Sequence, residues 1–317
     1  MKTEIQTDFG KETGVERQAW SLTTAKTVWQ RLSKHKSAYL FTSPFFVLYA
    51  VFGLYPAIYA IILSFYDWPG RGPWTYVWLQ NYQRLWLEDP VFVTTLANMG
   101  KYLLAIVVPM TLLALVFAVL LNSKQAKFQG FIRTTLILPY VLAPTVISVV
   151  FFQLYDPTYG WLNLALGLFG IESIPWLGSD QWSLWAIVLT ILWQYLGYNT
   201  LIALAGLTGI SSEIFDAAKV DGANLFQEFW YLTVPLMRPI LLFMAVMSTI
   251  GTFNMFAQPW LLTHGGPGYS SNTLSIMLYR TAFEFGRFGY AAAVGITIFA
   301  LTAVFSFLQF RLIRAEE

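Results

Sequence analysis

Six long apolar stretches, almost free of charge, constrain this chain more than any other feature. They run at about Tyr39–Phe65, Thr94–Leu121, Thr134–Leu154, Trp182–Leu207, Pro239–Leu262 and Tyr290–Leu312. A helix needs about 20 largely apolar residues to cross the roughly 30 Å hydrocarbon core of a bilayer. Each stretch meets that length, and none alternates with the period of two that a barrel strand would show. The expectation is an all-α polytopic membrane protein with six transmembrane helices. Composition agrees: 11% of residues are charged, against roughly 25% in a soluble domain.

The polar ends suggest an orientation. Residues 1–37 read as a charged tail whose last part, with Lys26, Arg31, Lys34, His35 and Lys36, is basic and next to the membrane. The following apolar run is too long for a signal-peptide core and reads as a retained anchor, so 38–317 is one membrane domain. Lys124, Lys127 and Arg133 follow the second span, Lys219 and Arg238 the fourth, and Arg311 and Arg314 end the chain; the loop after the third has no Lys or Arg. Counting positive charge on the inner side, both termini are expected in the cytoplasm. The fifth loop, with Arg280 and Arg287, fits that count least well.

The same sequence excludes several kinds of function. There is no cysteine, so no disulfide, thiolate metal site or thiol nucleophile. The two histidines, His35 and His264, lie outside the spans, and no carboxylate pair lies at membrane depth. No catalytic or metal-binding residue is therefore assigned, and a membrane enzyme lacks its parts. The net charge of +2 gives no reason to expect nucleic acid. Lys101 is the one charge well inside a span, close enough to its outer end to reach the headgroups. The ionisable relay common in ion-coupled transporters is missing, which weighs against a secondary transporter. Trp68, Trp74, Tyr76, Trp78, Tyr82 and Trp86 crowd the first outer loop. An interfacial aromatic belt explains them, and so does a surface for an extracytoplasmic partner or ligand.

One segment breaks the apolar pattern. Glu213 to Pro235 reads EIFDAAKVDGANLFQEFWYLTVP, with four acids and one lysine between two spans. Phe215, Ala218, Gly222, Leu225, Phe226 and Phe229 recur at helical spacing and predict one apolar face. Glu213, Asp216, Asp221, Asn224 and Glu228 fall largely off it. Ser211 or Ser212 is placed to cap a first short helix. Gly222 permits a sharp turn into a second, and Pro235 and Pro239 end the segment. A helix resting on the membrane surface is usually basic on its polar face, whereas this one is acidic. A helix offered to a groove on a soluble partner fits better.

This segment resembles the cytoplasmic coupling loop of permease subunits of bacterial binding-protein-dependent ABC importers. The matching positions are an acid, two alanines, a glycine four residues on and a Leu-Pro-like end: Asp216, Ala217, Ala218, Gly222 and Val234-Pro235. The usual first acid is Glu, so Asp216 is one methylene shorter. Phe131–Asn163 and Leu261–Gly295, the latter with Gly265, Gly266 and Pro267, resemble the maltose-type sugar-import branch, and the likeness runs from about Tyr82 to Arg314.

The resemblance implies a transport core at about 94–312, a coupling loop at 208–238, and an importer that includes a second, different permease chain, two ATPase subunits and an extracytoplasmic solute-binding protein. No GxxxxGK[ST] phosphate loop is present, so ATP and Mg belong to the separate ATPase and this chain is expected to bind no cofactor. Glu213, Phe215, Asp216, Ala217, Ala218, Asp221, Gly222 and Leu225 would meet the ATPase. A neutral sugar is held by aromatic faces and uncharged polar groups. The candidates within the spans are Tyr140, Thr145, Trp193, Gln194, Gly197, Ser248, Thr252, Asn254 and Gln258. Trp193 and Met255 stand where a related maltose permease is polar. Interhelical hydrogen bonding is an equal reading for each of these residues, and Pro139 and Pro144 read as kinks. A cargo of glycerol phosphate or another polyol derivative remains open, because the partner chain could supply a cation.

Overall fold

The computed structural model describes residues 36–123 and 128–314. The basic residues expected at 26–35 and at 124–127 lie outside them. Among the described residues, 36–59 belong to one unit and those from Ala60 onward to a second, the division falling within the helix at 55–63. In the first, α1 (Lys36–Tyr49) passes through a π-helical turn at Ala50–Leu54 into α2 (Tyr55–Leu63). Pro44 lies within α1.

The second unit is built on two long helices. α4 (Pro90–Asn122) has 33 residues, about 50 Å at 1.5 Å per residue. It therefore exceeds the bilayer core and begins four residues before the expected Thr94. Asp89 starts it by accepting hydrogen bonds from the Val91 and Phe92 backbone N–H groups at 2.9 and 3.3 Å, with Pro90 at the first helical position, where its missing N–H costs nothing. α8 (Ser183–Thr208) packs along it. α15 (Phe288–Arg314) is the last long helix. The short helix α3 (Gln80–Gln83) precedes α4, and β1 (Tyr66–Asp67) pairs antiparallel with β2 (Thr75–Tyr76). The crowded aromatics at 66–78 are thus an ordered hairpin, held by the Phe288 backbone N–H donating to Trp68 O at 3.0 Å.

Among the described residues four helices are long and apolar enough to cross a membrane alone, and six crossings result if each of two bent pairs counts as one. The third stretch is one of those pairs. α5 (Gln129–Val141) and α6 (Pro144–Leu154) meet at 96°, a break rather than the expected kink. Pro144 has no N–H to donate and forces the preceding residue out of the helical region, and Ala143 sits at φ −60°, ψ 141°. Pro139 stays inside α5. The other pair joins residues 225–236 to the helix at 238–253 at 72°, and the fifth stretch is interrupted once more farther on. α12 (Arg238–Phe253) ends before α13 (Ala257–Thr263), with residues 254–256 between them.

Two apolar cores stack along the bundle. One joins Ala114, Leu115 and Ala118 of α4 to Ala203, Leu204 and Leu207 of α8 and to Met237 and Met244. The other spans the opposite halves of α4 and α8 together with α6, α13, α15 and α14 (Leu274–Tyr279). Loops at that second end are pinned by buried polar side chains. Asn163, on α7 (Trp161–Gly167), accepts from the Ile174 backbone N–H and the Trp176 indole at 3.1 and 3.0 Å. Asn98 and Tyr102 of α4 donate to the carbonyls of Tyr269 and Ser271 at 2.7 and 3.0 Å. Asp156 accepts from the backbone N–H groups of Tyr159 and Thr158, which hold its carboxyl below the usual range.

Candidate functional site

The two broken stretches meet around one cavity of about 500 Å³, within the roughly 300–1,000 Å³ typical of small-ligand sites. Its walls are α4, the α5–α6 junction, α8, α12 and the 254–256 break. Broken helices free backbone groups that hydrocarbon cannot satisfy, so protein side chains must do so. Here the Gln194 amide reaches the Leu142 carbonyl at 3.4 Å, the Ser275 hydroxyl the Phe253 carbonyl at 3.2 Å, and the Thr273 hydroxyl the Met255 carbonyl at 3.1 Å. The breaks are therefore built features. Among the described residues, no Asp, Glu, Lys, Arg or His lines the cavity.

Of the nine residues expected along a substrate path, Tyr140, Ser248, Thr252, Asn254 and Gln258 line this cavity. Tyr140 stacks on Tyr198 with ring centroids 4.2 Å apart and meets Tyr195 edge-on at 5.7 Å. The other four lie elsewhere. Gln194 is buried behind the wall. Trp193 is 49% exposed and packs on Phe151 at 5.2 Å. Thr145 is exposed on α6. Gly197 is where α8 meets α5, and an added Cβ would fall 1.7 Å from the Leu136 carbonyl oxygen. Tyr195, Tyr198 and Asn199 line the cavity without having been singled out. Their i, i+3, i+4 spacing in span 4 marks one polar-aromatic helix face, which was the available signal.

Gln258 holds the cavity wall to α8. Its Nε2 donates to Gln194 Oε1 at 2.8 Å, and both residues are buried. Gln194→Leu strands the Gln258 amide and is expected to cost about 1–3 kcal/mol. The double variant Gln194→Leu/Gln258→Leu loses both partners and is expected to recover part of that stability. Thermal unfolding in detergent of the two single variants and the double one tests the pair; additive losses would mean that the two amides act independently.

The polar segment is two short helices, not one continuous face. Ser211 caps α9 (Ser212–Val220), its hydroxyl accepting from the Glu213 N–H at 3.3 Å. Gly222 turns the chain at φ +83°, a conformation that favours glycine. Asn224 and Gln227 form a reciprocal capping box that starts α10 (Leu225–Gln227). A π-helical stretch, Glu228–Thr233, and α11 (Val234–Leu236) follow. Phe215, Ala218 and Phe229 turn inward, Phe215 and Phe229 against the α4–α8 core. Leu225 and Phe226, expected on that same face, are 82% and 70% exposed, because the Gly222 turn resets the helical phase. Asp216, Ala217 and Asp221 are exposed as well, and Lys219 pairs with Asp216 at 3.8 Å. The segment thus leaves the apolar side chains of Val220, Leu225 and Phe226 exposed, along with the acids Glu213, Asp216 and Asp221.

Residues 110–316, which carry most of the cavity and all of this segment, match the family described as binding-protein-dependent transport system inner membrane component. The chain belongs to this family. Lactose transport system permease protein LacF of Rhizobium radiobacter is 37% identical over 287 residues, 89% of this chain and 95% of LacF. Arabinooligosaccharides transport system permease protein AraP of Halalkalibacterium halodurans is 33% identical over 274 residues, 86% and 85% of the two chains. A chain of a bacterial alginate ABC transporter, solved in complex with an alginate pentasaccharide-bound periplasmic protein, shares the fold at a TM-score of 0.78, with 19% identity and coverage of 90% of this chain and 97% of that one. This permease is accordingly a multi-pass transport subunit of a binding-protein-dependent system and not an enzyme.

Proposed function

We propose that this permease, paired with a second permease chain, forms the path by which a neutral sugar or oligosaccharide enters a bacterial cell. An extracytoplasmic solute-binding protein delivers the cargo. Two ATPase subunits, which hold the ATP and Mg, drive import. The observation that carries the reading is the uncharged, tyrosine-walled cavity at the meeting of two helix breaks. Aromatic faces, amides and hydroxyls recognise a sugar without charge, and a phosphate-bearing cargo would call for Arg or Lys there. The relatives named for lactose and for arabinooligosaccharides support the same cargo class.

In this reading the polar segment lies in the cytoplasm with both chain termini, and it docks on the ATPase. Its exposed Val220, Leu225 and Phe226 fill an apolar groove, and Asp216 meets a cation of the partner. Closure of the ATPase pair then moves α9 and α10 as a lever, and the two permeases rock about the cavity.

The test is extraction of the chain in mild detergent, identification of what accompanies it, and reconstitution of that complex with its binding protein. Copurification of one ATPase and a second permease in fixed ratio, with ATP-dependent sugar uptake, is expected. A chain that ran alone and moved solute without ATP would replace this reading with a secondary transporter.

A further inference from the structure

Beside the main cavity lies a second pocket of about 380 Å³, lined by Asn254, Phe256, Ser275, Leu278, Tyr279, Gly295 and Ile298. It sits among α14, α15 and the 254–256 break. Asn254 and Phe256 line both spaces, so the two adjoin at the break. Gly295 and Ile298 come seven and ten residues after the start of α15, about 10–15 Å along the helix.

We propose that this second pocket is a saccharide subsite, holding the next ring of a sugar chain whose first ring occupies the main cavity. The inference rests on the sugar-import reading and goes further, because it makes chain length a property of this permease. Three observations carry it. The lining has no ionisable group other than the Tyr279 phenol, as a neutral ring requires. It offers an aromatic surface made by the Phe256 and Tyr279 rings, which touch each other at 5.3 Å and 56° and are both backed by Trp260. It also offers uncommitted polar atoms: the Asn254 amide nitrogen donates to the Ile250 carbonyl at 2.8 Å, which leaves Oδ1 to accept, and Ser275 spends its proton on the Phe253 carbonyl and keeps its lone pairs. An aromatic face with an amide and a hydroxyl beside it is the recognition chemistry of a pyranose or furanose ring.

The pocket is also connected. From Phe256, ring contacts continue through Tyr279, Phe283 and Phe288 to Trp68 and Trp74 of the hairpin, each step between 5.3 and 5.7 Å. The subsite is the inner end of this aromatic ladder, which runs from the hairpin down to the cavity. The crowded rings near the first β-strand thereby acquire a role on the entry side.

The experiment uses the whole importer in proteoliposomes, with its binding protein saturating and ATP inside. Initial uptake is measured for glucose, maltose and maltotriose, and for arabinose, arabinobiose and arabinotriose. Tyr279→Ala, which alters the second pocket and not the main cavity, is expected to lower trisaccharide uptake by about tenfold while the shortest accepted saccharide stays within about twofold. Tyr279→Phe, which keeps the ring, is expected to retain trisaccharide uptake. Tyr279 also packs on Phe256, Trp260 and Phe283, so the membrane level and the copurifying second permease are read beside uptake to separate lost packing from a lost subsite.

Equal loss at every chain length, with less second permease copurifying, would make the pocket a subunit interface and overturn the subsite. So would unchanged uptake, or a wild-type importer that accepts monosaccharides alone. A wild-type importer that moves no saccharide of either series, and no lactose offered in the same assay, would overturn the sugar reading itself.

Discussion

Gly222→Asp is expected to abolish uptake while the chain still inserts and accumulates normally. Gly222 sits at φ +83°, and an added Cβ there meets no atom within 4 Å. The change therefore costs this chain about 1 kcal/mol of backbone strain and creates no clash within it. Its large effect would fall on the proposed ATPase contact, because it adds a carboxylate to a turn between two helices that expose Val220, Leu225 and Phe226. A charge left unpaired in such an interface costs about 3 kcal/mol, roughly a hundredfold in association. Asp216→Lys acts on the same joint by a different route. It replaces the acid that would meet the partner's cation and sets two lysines three residues apart, where Asp216 and Lys219 now pair. That exposed pair contributes little on its own, so the fold is expected to survive. Uptake, ATPase copurification and membrane level should be read together. Normal uptake in both variants would remove the coupling role from this segment.

The spans were legible because hydrocarbon imposes a simple demand on sequence: about 20 apolar residues in a row. The polar segment was legible as a break between two apolar stretches because four acids and a lysine interrupt the run there. What the residues did not reveal is geometry that depends on neighbours. Pro144 announces a disturbance, but not its 96° angle, nor that the amide reaching the freed Leu142 carbonyl belongs to Gln194, about fifty residues away. The gap at 254–256 carries no proline, and it rests on the Ser275 and Thr273 hydroxyls that receive the freed carbonyls. Thr145, Trp193 and Gly197 were selected as polar, aromatic or small residues in apolar spans. Residue type alone does not say which side of a helix faces a cavity. The Gly222 turn had the same consequence on a smaller scale: it was foreseen, yet Leu225 and Phe226 were still placed on the face of Phe215.

Gly197→Val is expected to prevent assembly. The contact between α5 and α8 depends on the absence of a side chain at this position, since a Cβ would lie 1.7 Å from the Leu136 carbonyl oxygen and 2.4 Å from its carbon. Helices in membranes associate through such close approach at small residues, with no hydrophobic drive to compensate for a gap. The obstructing atoms belong to the backbone of another helix, so no rotamer change relieves the overlap, and the cost lies at or above the ~3 kcal/mol upper end for overpacking. Separation of α5 from α8 would also unstack Tyr140 from Tyr198 and move Leu142 away from Gln194, so any chain that does assemble should have lost the cavity wall. Gly100→Ala is the control. It lies in α4 with nothing within 4 Å of its added Cβ, and alanine is the better helix former by about 1 kcal/mol. Membrane level and melting temperature should fall sharply in the first variant and hold or rise in the second. Equal behaviour of the two would mean that α5 does not rest on Gly197.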